Sequence, residues 1–159
     1  QGRLNSGTFI HPEIGMNFRI TDMQAGVGLA QANKFNEIKR RKLYIYEQYF
    51  ERLNGVGDLR FMKVESGSTF VPFRFYIRTN YKDELSCYME ELGVQSRSFF
   101  YPMHMQPKLK QYTHGSLPIS EKLYKTGLCL PLHNYMDDSD VDYITSLIKN
   151  FFSKKKFSI

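Results

Sequence analysis

The chain is poor in cysteine and has no long apolar run, and each shortage removes a class of function. Only two cysteines, Cys87 and Cys129, occur in 159 residues. They stand far apart without metal-type spacing. They read as small buried hydrophobes in a reducing, cytoplasmic compartment rather than as a disulfide framework. No run of about 18 apolar residues is present, the length a bilayer span requires. The histidines form neither an HxxxH nor an HxH pattern, which argues against zinc. Nucleophile-elbow, P-loop and Rossmann glycine patterns are missing too. The GVG at 26–28 falls inside a helical stretch, not at a strand-to-helix turn, so it is no phosphate loop. There is no internal repeat and no low-complexity segment.

What is present suits one domain with a sizeable core: 42% of the residues are hydrophobic and 15% aromatic, outside the disordered range. The net charge of +6 favours anionic partners such as phosphates, nucleotides or nucleic acid. The basic runs KRRK (39–42) and KKK (154–156) do not make the nucleic-acid case. On a helix the first spreads over more than one face, and the second sits in a tail, so both read as solvated surface. The sequence opens on Gln1, and its first twenty residues hold motif-like polar groups with no scaffold before them. A piece of a longer protein is the expectation.

Residues 1–20 read as loop, punctuated by Gly2, Gly7, Pro12 and Gly15. Thr21 followed by Gln24 forms a capping-box signal, with Asp22 in the first turn. The helix it opens is expected to bend or break near Asn33 to Asn36 and to end at Asn54-Gly55. Its inner face would carry Phe35, Ile38, Leu43, Tyr46, Tyr49, Phe50 and Leu53. Strands are expected at 59–64 and 70–78, joined by ESGS, with Pro72 making the second an edge strand or a late starter. A helix at 81–92 turns Leu85, Tyr88, Met89 and Leu92 inward and stops at Gly93. A strand at 94–100, a loop at 101–117, a helix at 118–126 and the apolar strand GLCLPL follow. The acids Asp137, Asp138 and Asp140 crowd the first turn of a last helix, 138–153, whose inner face is Val141, Ile144, Leu147 and Ile148. The fold class this predicts is α+β: a long N-terminal helix, then a small, mostly antiparallel sheet with helices on one face.

Four residues are candidates for binding. If the stretch before the first helix is extended, Asn17 and Arg19 point the same way, an amide donor beside a charged fork, and suit an anion. The plainer alternative is that Asn17 satisfies loop backbone and Arg19 covers surface. His104 in FYPMHMQP and His133 in LPLHN lie in loops, where binding residues gather; either is otherwise an ordinary loop histidine. His11 and His114 support nothing stronger. The helix stretch AGVGLAQA (25–32) holds two glycines that each cost about 1 kcal/mol relative to Ala. A tight intramolecular packing site or a subunit interface would offset them.

Three stretches in order, HPEIGMNFRITDMQAGVGLAQ, PMHMQP and LCLPLHNYMDDSDVDYI, resemble landmarks of the DegT/DnrJ/EryC1/StrS sugar aminotransferases, which use pyridoxal 5'-phosphate (PLP). The resemblance covers almost the whole chain. It implies the C-terminal part of a fold-type I enzyme with an α/β parent: residues 1–33 the connecting loop and interface helix, 34–159 the small domain. It further implies a homodimer in which Asn17 reaches the cofactor phosphate in the partner's site, with Arg19 at the basic position just after it. His104 falls close to the sugar-nucleotide site, and His133 is carried over as a second substrate-binding position. Met16 departs from the aromatic residue usual there. The family's Schiff-base lysine, pyridine-pairing acid and ring-stacking residue all lie further N-terminal. Lys34 and Lys63 do not match that lysine, so no catalytic residue is assigned and this chain alone is expected to be inert. The implied partners are a nucleotide-linked keto-sugar and an amino-acid donor, glutamate, with no membrane and no nucleic acid. The rival readings are a sugar dehydratase of the same family, with histidine in place of the lysine, a non-catalytic dimerisation module, and a nucleic-acid-binding domain.

Overall fold

The computed structural model describes residues 12–112 and 115–155, so His11, His114, Gly2, Gly7 and Lys156 lie outside the described residues. Among the described residues there are four α-helices, α1 (Asp22–Leu53), α2 (Lys82–Glu91), α3 (Pro118–Thr126) and α4 (Asp138–Lys154), and four strands, β1 (Arg60–Phe61), β2 (Phe75–Arg78), β3 (Arg97–Ser98) and β4 (Gly127–Leu130). Short 3-10 turns at Met103–Met105 and Pro107–Tyr112 occupy the stretch read as loop.

Both long helices begin on capping boxes. The Thr21 hydroxyl accepts from the Gln24 amide at 3.3 Å while Gln24 Oε1 accepts from the Thr21 amide at 3.0 Å. Asp137 and Asp140 reciprocate in the same way ahead of α4, so Asp137 is the cap and not a first-turn residue. The expected break in α1 is absent: Asp22 to Leu53 is one continuous helix. Asn33 and Asn36 each cost only a fraction of a kcal/mol in a helix interior, and no proline or glycine stands nearby to interrupt it. Gly55, at φ 78°, supplies the left-handed residue that ends α1.

The sheet order is β1-β2-β4-β3, antiparallel throughout, with Phe75 opposite Leu130, Ile77 opposite Leu128 and Phe61 opposite Ile77. β2 is therefore interior and starts late, leaving Pro72 outside the ladder. β1 and β3 are shorter than expected because each sits at a sheet edge with one neighbour, paired over two residues only. One face of the sheet carries Phe75, Ile77, Leu128 and Leu130. The core closes on it with Ile45, Tyr49 and Leu53 of α1, Leu85 and Met89 of α2, and Val141, Ile144, Leu147 and Ile148 of α4. The other face carries Tyr76 and the buried Cys129. Phe99 lies so close over Gly127 that a β-carbon there would stand 2.3 Å from its ring.

Several inward assignments need correcting. Ile45, fully buried, belongs to the α1 stripe at i, i+4, i+8 with Tyr49 and Leu53. Phe50 lies about 100° off that stripe and packs edge-on against Phe61 instead, ring centres 5.2 Å apart. Phe35 is exposed, and so is Leu92, which caps α2 where the chain turns away. Cys87 is exposed on the outer side of α2, donating to Glu91; Cys129 is buried as expected, and both thiols are free.

The chain divides into two compact units, one ending at Asn36 and one beginning at Glu37. Every residue from Pro12 to Asn36 is exposed. Among the described residues no helix is long and apolar enough to cross a membrane, and no group of three His, Cys, Asp or Glu is placed to hold a metal ion.

Candidate functional site

In the first unit, Asn17 does the plainer of the two jobs foreseen for it, satisfying loop backbone. Its Oδ1 accepts from the Arg19 backbone amide at 3.0 Å, which fixes the local turn and leaves the amide nitrogen as an available donor. Arg19 makes no ion pair among the described residues, so the two side chains present donors only, a set that fits the oxygens of a phosphate. Around them Ile14, Met16, Phe18 and Ile20 alternate with the polar residues and are all exposed, from 67% to 104%. In α1, a β-carbon at Gly26 or Gly28 would meet no atom within 4 Å. Packing inside the described chain therefore does not offset these glycines.

In the second unit, His104 is anchored. Its Nε2 lies 3.0 Å from Glu121 Oε1, and the same oxygen accepts from Ser116 Oγ at 3.0 Å and the Leu117 amide at 3.1 Å. Glu121 stands in the first turn of α3 and ties down both ends of the 104–117 stretch. The His104 contact, then Ser116 and the Leu117 amide, hold its carboxyl below the usual range. The folded pKa lies below the unfolded one, so the tie is complete above the ordinary carboxylate range and is lost as pH falls through the lowered value. Glu121→Ala is expected to abolish hydrogen-exchange protection at the Leu117 amide at neutral pH; protection equal to wild type would show that the tie is not formed.

His133 sits elsewhere, at the rim of a cleft of about 840 Å³ that does not include His104. The structure does not bring the two histidines to one cavity. The cleft lies at the sheet face opposite the core, where Arg97 of β3 pairs with Cys129 of β4. Lys42 and Arg74 also line it. Both approach one ring, Phe73, with Arg74 Cζ at 4.9 Å and Lys42 Nζ at 5.8 Å from its centre. Burial pushes the Cys129 thiol up, and the Arg74 guanidinium beside it opposes the shift. Arg74, Arg97 and Glu121 were not singled out by sequence, and Lys42, read within KRRK as solvated surface, lines the cleft instead. For the arginines a signal existed in FRFYIR and SRSFF, where cations alternate with aromatics at the strand period.

A model of the DegT/DnrJ/EryC1/StrS aminotransferase family matches residues 1–149. The chain belongs to that family. Among family relatives, the GDP-perosamine synthase of Caulobacter vibrioides is 27% identical over 93% of this chain and 42% of its own length. EpsN of Bacillus subtilis, provisionally named a pyridoxal phosphate-dependent aminotransferase, is 27% identical over 96% of this chain and 41% of its own. The crystal structure of a DegT/DnrJ/EryC1/StrS aminotransferase from Brucella abortus superposes with a TM-score of 0.83 at 27% identity, covering 94% of this chain and 40% of that one. The chain thus spans about two fifths of the length of the curated relatives it matches.

Proposed function

We propose that this chain is the C-terminal part of a PLP-dependent nucleotide-sugar aminotransferase, which moves an amino group from glutamate to a keto group on a nucleotide-linked sugar and works as a cytoplasmic homodimer. Residues 1–33 join the large domain to the small one and supply the dimer face; 34–159 form the small domain. The observation that carries the reading is the donor-only pair Asn17 and Arg19, set just ahead of a capped helix in a wholly exposed apolar segment of a family member. Likeness to GDP-perosamine synthases supports the sugar-nucleotide substrate, and likeness to EpsN supports the cofactor.

When bound, PLP supplies the carbanion-stabilising chemistry. The chain's own residues position. Asn17 donates its amide N–H to the cofactor phosphate in the partner's site, and Arg19 brings a fixed positive fork to the same anion. Exposed Met16, Phe18 and Ile20 bury against the partner and keep water from that contact. His104, held by Glu121, and His133 border the sugar nucleotide. The residues that act on the cofactor ring lie outside this chain, which alone has no activity.

Asn17→Ala in the full-length enzyme is expected to weaken cofactor retention by about 1–3 kcal/mol, the loss of one charge-assisted hydrogen bond. Equilibrium dialysis against free PLP measures it, and unchanged affinity would remove Asn17 from the phosphate site.

A further inference from the structure

We infer that the small cleft at the β1 side of the sheet, between Arg60, Arg78 and Lys122, binds a single phosphate group, free or carried as a monoester. It has a volume of about 240 Å³ and shares no lining residue with the larger cleft that holds His133. Arg60 comes from β1, Arg78 from β2 and Lys122 from α3, so three separate elements bring cations to it. Phe61 and Ile77 belong to the core side, which puts Arg60 and Arg78 together on the opposite face of the sheet. None of the three cations makes an ion pair among the described residues. The carboxylate that lines the cleft, Asp58, is taken up by the fold. It accepts from the Thr79 hydroxyl and, at 2.8 Å, from the Asn80 amide.

The register makes this arrangement costly unless something lies between the charges. Arg60 stands directly opposite Arg78 across the antiparallel pair, and like charges in opposed positions destabilise a sheet. β1 pairs over two residues only, so one of its two pairings sets cation against cation. On its other side Arg78 faces Gly127, which has no side chain to separate or neutralise the charge. An anion seated between the strands turns the repulsion into two attractions, and the lysine adds a third. The floor of the cleft is bonded throughout. Thr79 is buried, its amide donates to the Thr126 carbonyl at 3.0 Å, and its hydroxyl accepts from the Tyr81 amide at 3.1 Å. Thr126 Oγ1 donates to the Lys122 carbonyl at 2.9 Å, which fixes the turn that carries the lysine. Two guanidinium forks and a point charge match the oxygens of one phosphate, whereas a planar carboxylate fills a single fork. Arg60, Asn80 and Lys122 are exposed, so the cleft is open on one side and leaves room for the remainder of a monoester.

This site does not depend on the function proposed above, and the test keeps it apart from the cofactor and substrate anions. Full-length protein, loaded with PLP and saturated with a nucleoside diphosphate (GDP or UDP), is titrated calorimetrically at constant ionic strength with inorganic phosphate. A parallel titration uses methyl phosphate. Phosphate is expected to bind in the presence of both occupants. Arg60→Gln and Arg78→Gln are each expected to weaken it by about tenfold or more. Arg60 is exposed on an edge strand, so its variant stays informative even where Arg78→Gln compromises folding. Arg40→Gln removes an equal charge from a different cleft and is expected to leave phosphate binding unchanged. Binding of inorganic phosphate alone assigns the free ion, and equal binding of methyl phosphate assigns a monoester. Saturating phosphate is also expected to slow hydrogen exchange in a peptide spanning Arg60 and Phe61, because the bridged pair holds β1 in place. Absence of phosphate binding, its displacement by the nucleoside diphosphate, indifference to Arg60→Gln, an equal loss on Arg40→Gln, or acetate binding as tight as phosphate would each overturn the site. Failure of the protein to take up PLP or nucleoside diphosphate would count against the proposed function instead, and the phosphate titration with its variants would still decide this inference.

Discussion

Replacing Phe75 with alanine is expected to destabilise the unit beginning at Glu37 by about 3–5 kcal/mol, the range for deleting a buried ring. Phe75 has no exposed surface and sits where three elements meet. Its ring centre lies 4.9 Å from that of Tyr46, 4.8 Å from Tyr49 and 5.8 Å from Phe61. Each such pair adds about 0.5–1.5 kcal/mol beyond the area it buries. The position cannot collapse to fill the gap, because β2 is bonded on both sides and Phe75 is locked opposite Leu130. The loss would take a large share of a domain's usual margin of about 5–15 kcal/mol. Phe73, two residues earlier and 61% exposed, is the internal comparison: its alanine variant should cost no more than about 1–2 kcal/mol, the worth of its two exposed cation–π contacts. Urea unfolding of both variants checks this, and equal losses would show that the sheet does not bury the face assigned to it.

The contrast between those two phenylalanines marks how far the sequence could be read. A regular strand over the whole of 70–78 would carry Phe73, Phe75 and Ile77 on one face, and two of the three are in the core. Phe73 fails because Pro72 delays the ladder, so the chain at 73 is not yet paired and its ring turns outward. Helix positions were legible where a chemical stop or start was explicit: the Thr21–Gln24 box, Gly93 and the acids before α4. Edge strands were overestimated for the opposite reason. Nothing local in LRFMKV or VQSRSFF tells how many residues find a partner, since pairing is settled by β2 and β4.

The site was legible in part and for different reasons. Family landmarks pointed to His104 and His133 as loop positions, but spacing alone does not reveal that His104 is tied to a carboxylate seventeen residues on. Nor does it reveal that Arg74 and Arg97 converge, because that depends on β4 inserting between their strands. Cys87 misled because cysteine is usually buried, whereas position 87 falls on the outer side of α2, one turn before Glu91. Ile45 was missed because Tyr46 and Tyr49 fit the helical spacing equally well, and the true stripe runs through Ile45, Tyr49 and Leu53.

Gly26→Leu is the substitution expected to separate folding from assembly most sharply. Within this chain it should be harmless: the added side chain meets no atom within 4 Å at its first carbon. Replacing a helical glycine also gains up to about 1 kcal/mol of helix stability. Two glycines within three residues, beside Met23, Val27 and Leu29 at 65–85% exposure, impose a helix cost that nothing in the described chain repays. Close approach by a partner subunit would repay it, and a leucine would hold that backbone away. In the full-length enzyme the variant is expected to elute as a monomer in light-scattering chromatography while keeping wild-type helicity and melting temperature. If the glycines instead seat another part of the same subunit, the variant would remain dimeric and melt at a lower temperature. A protein both dimeric and fully stable would show that neither contact exists, and that the exposed apolar segment from Ile14 to Leu29 meets its partner through another face.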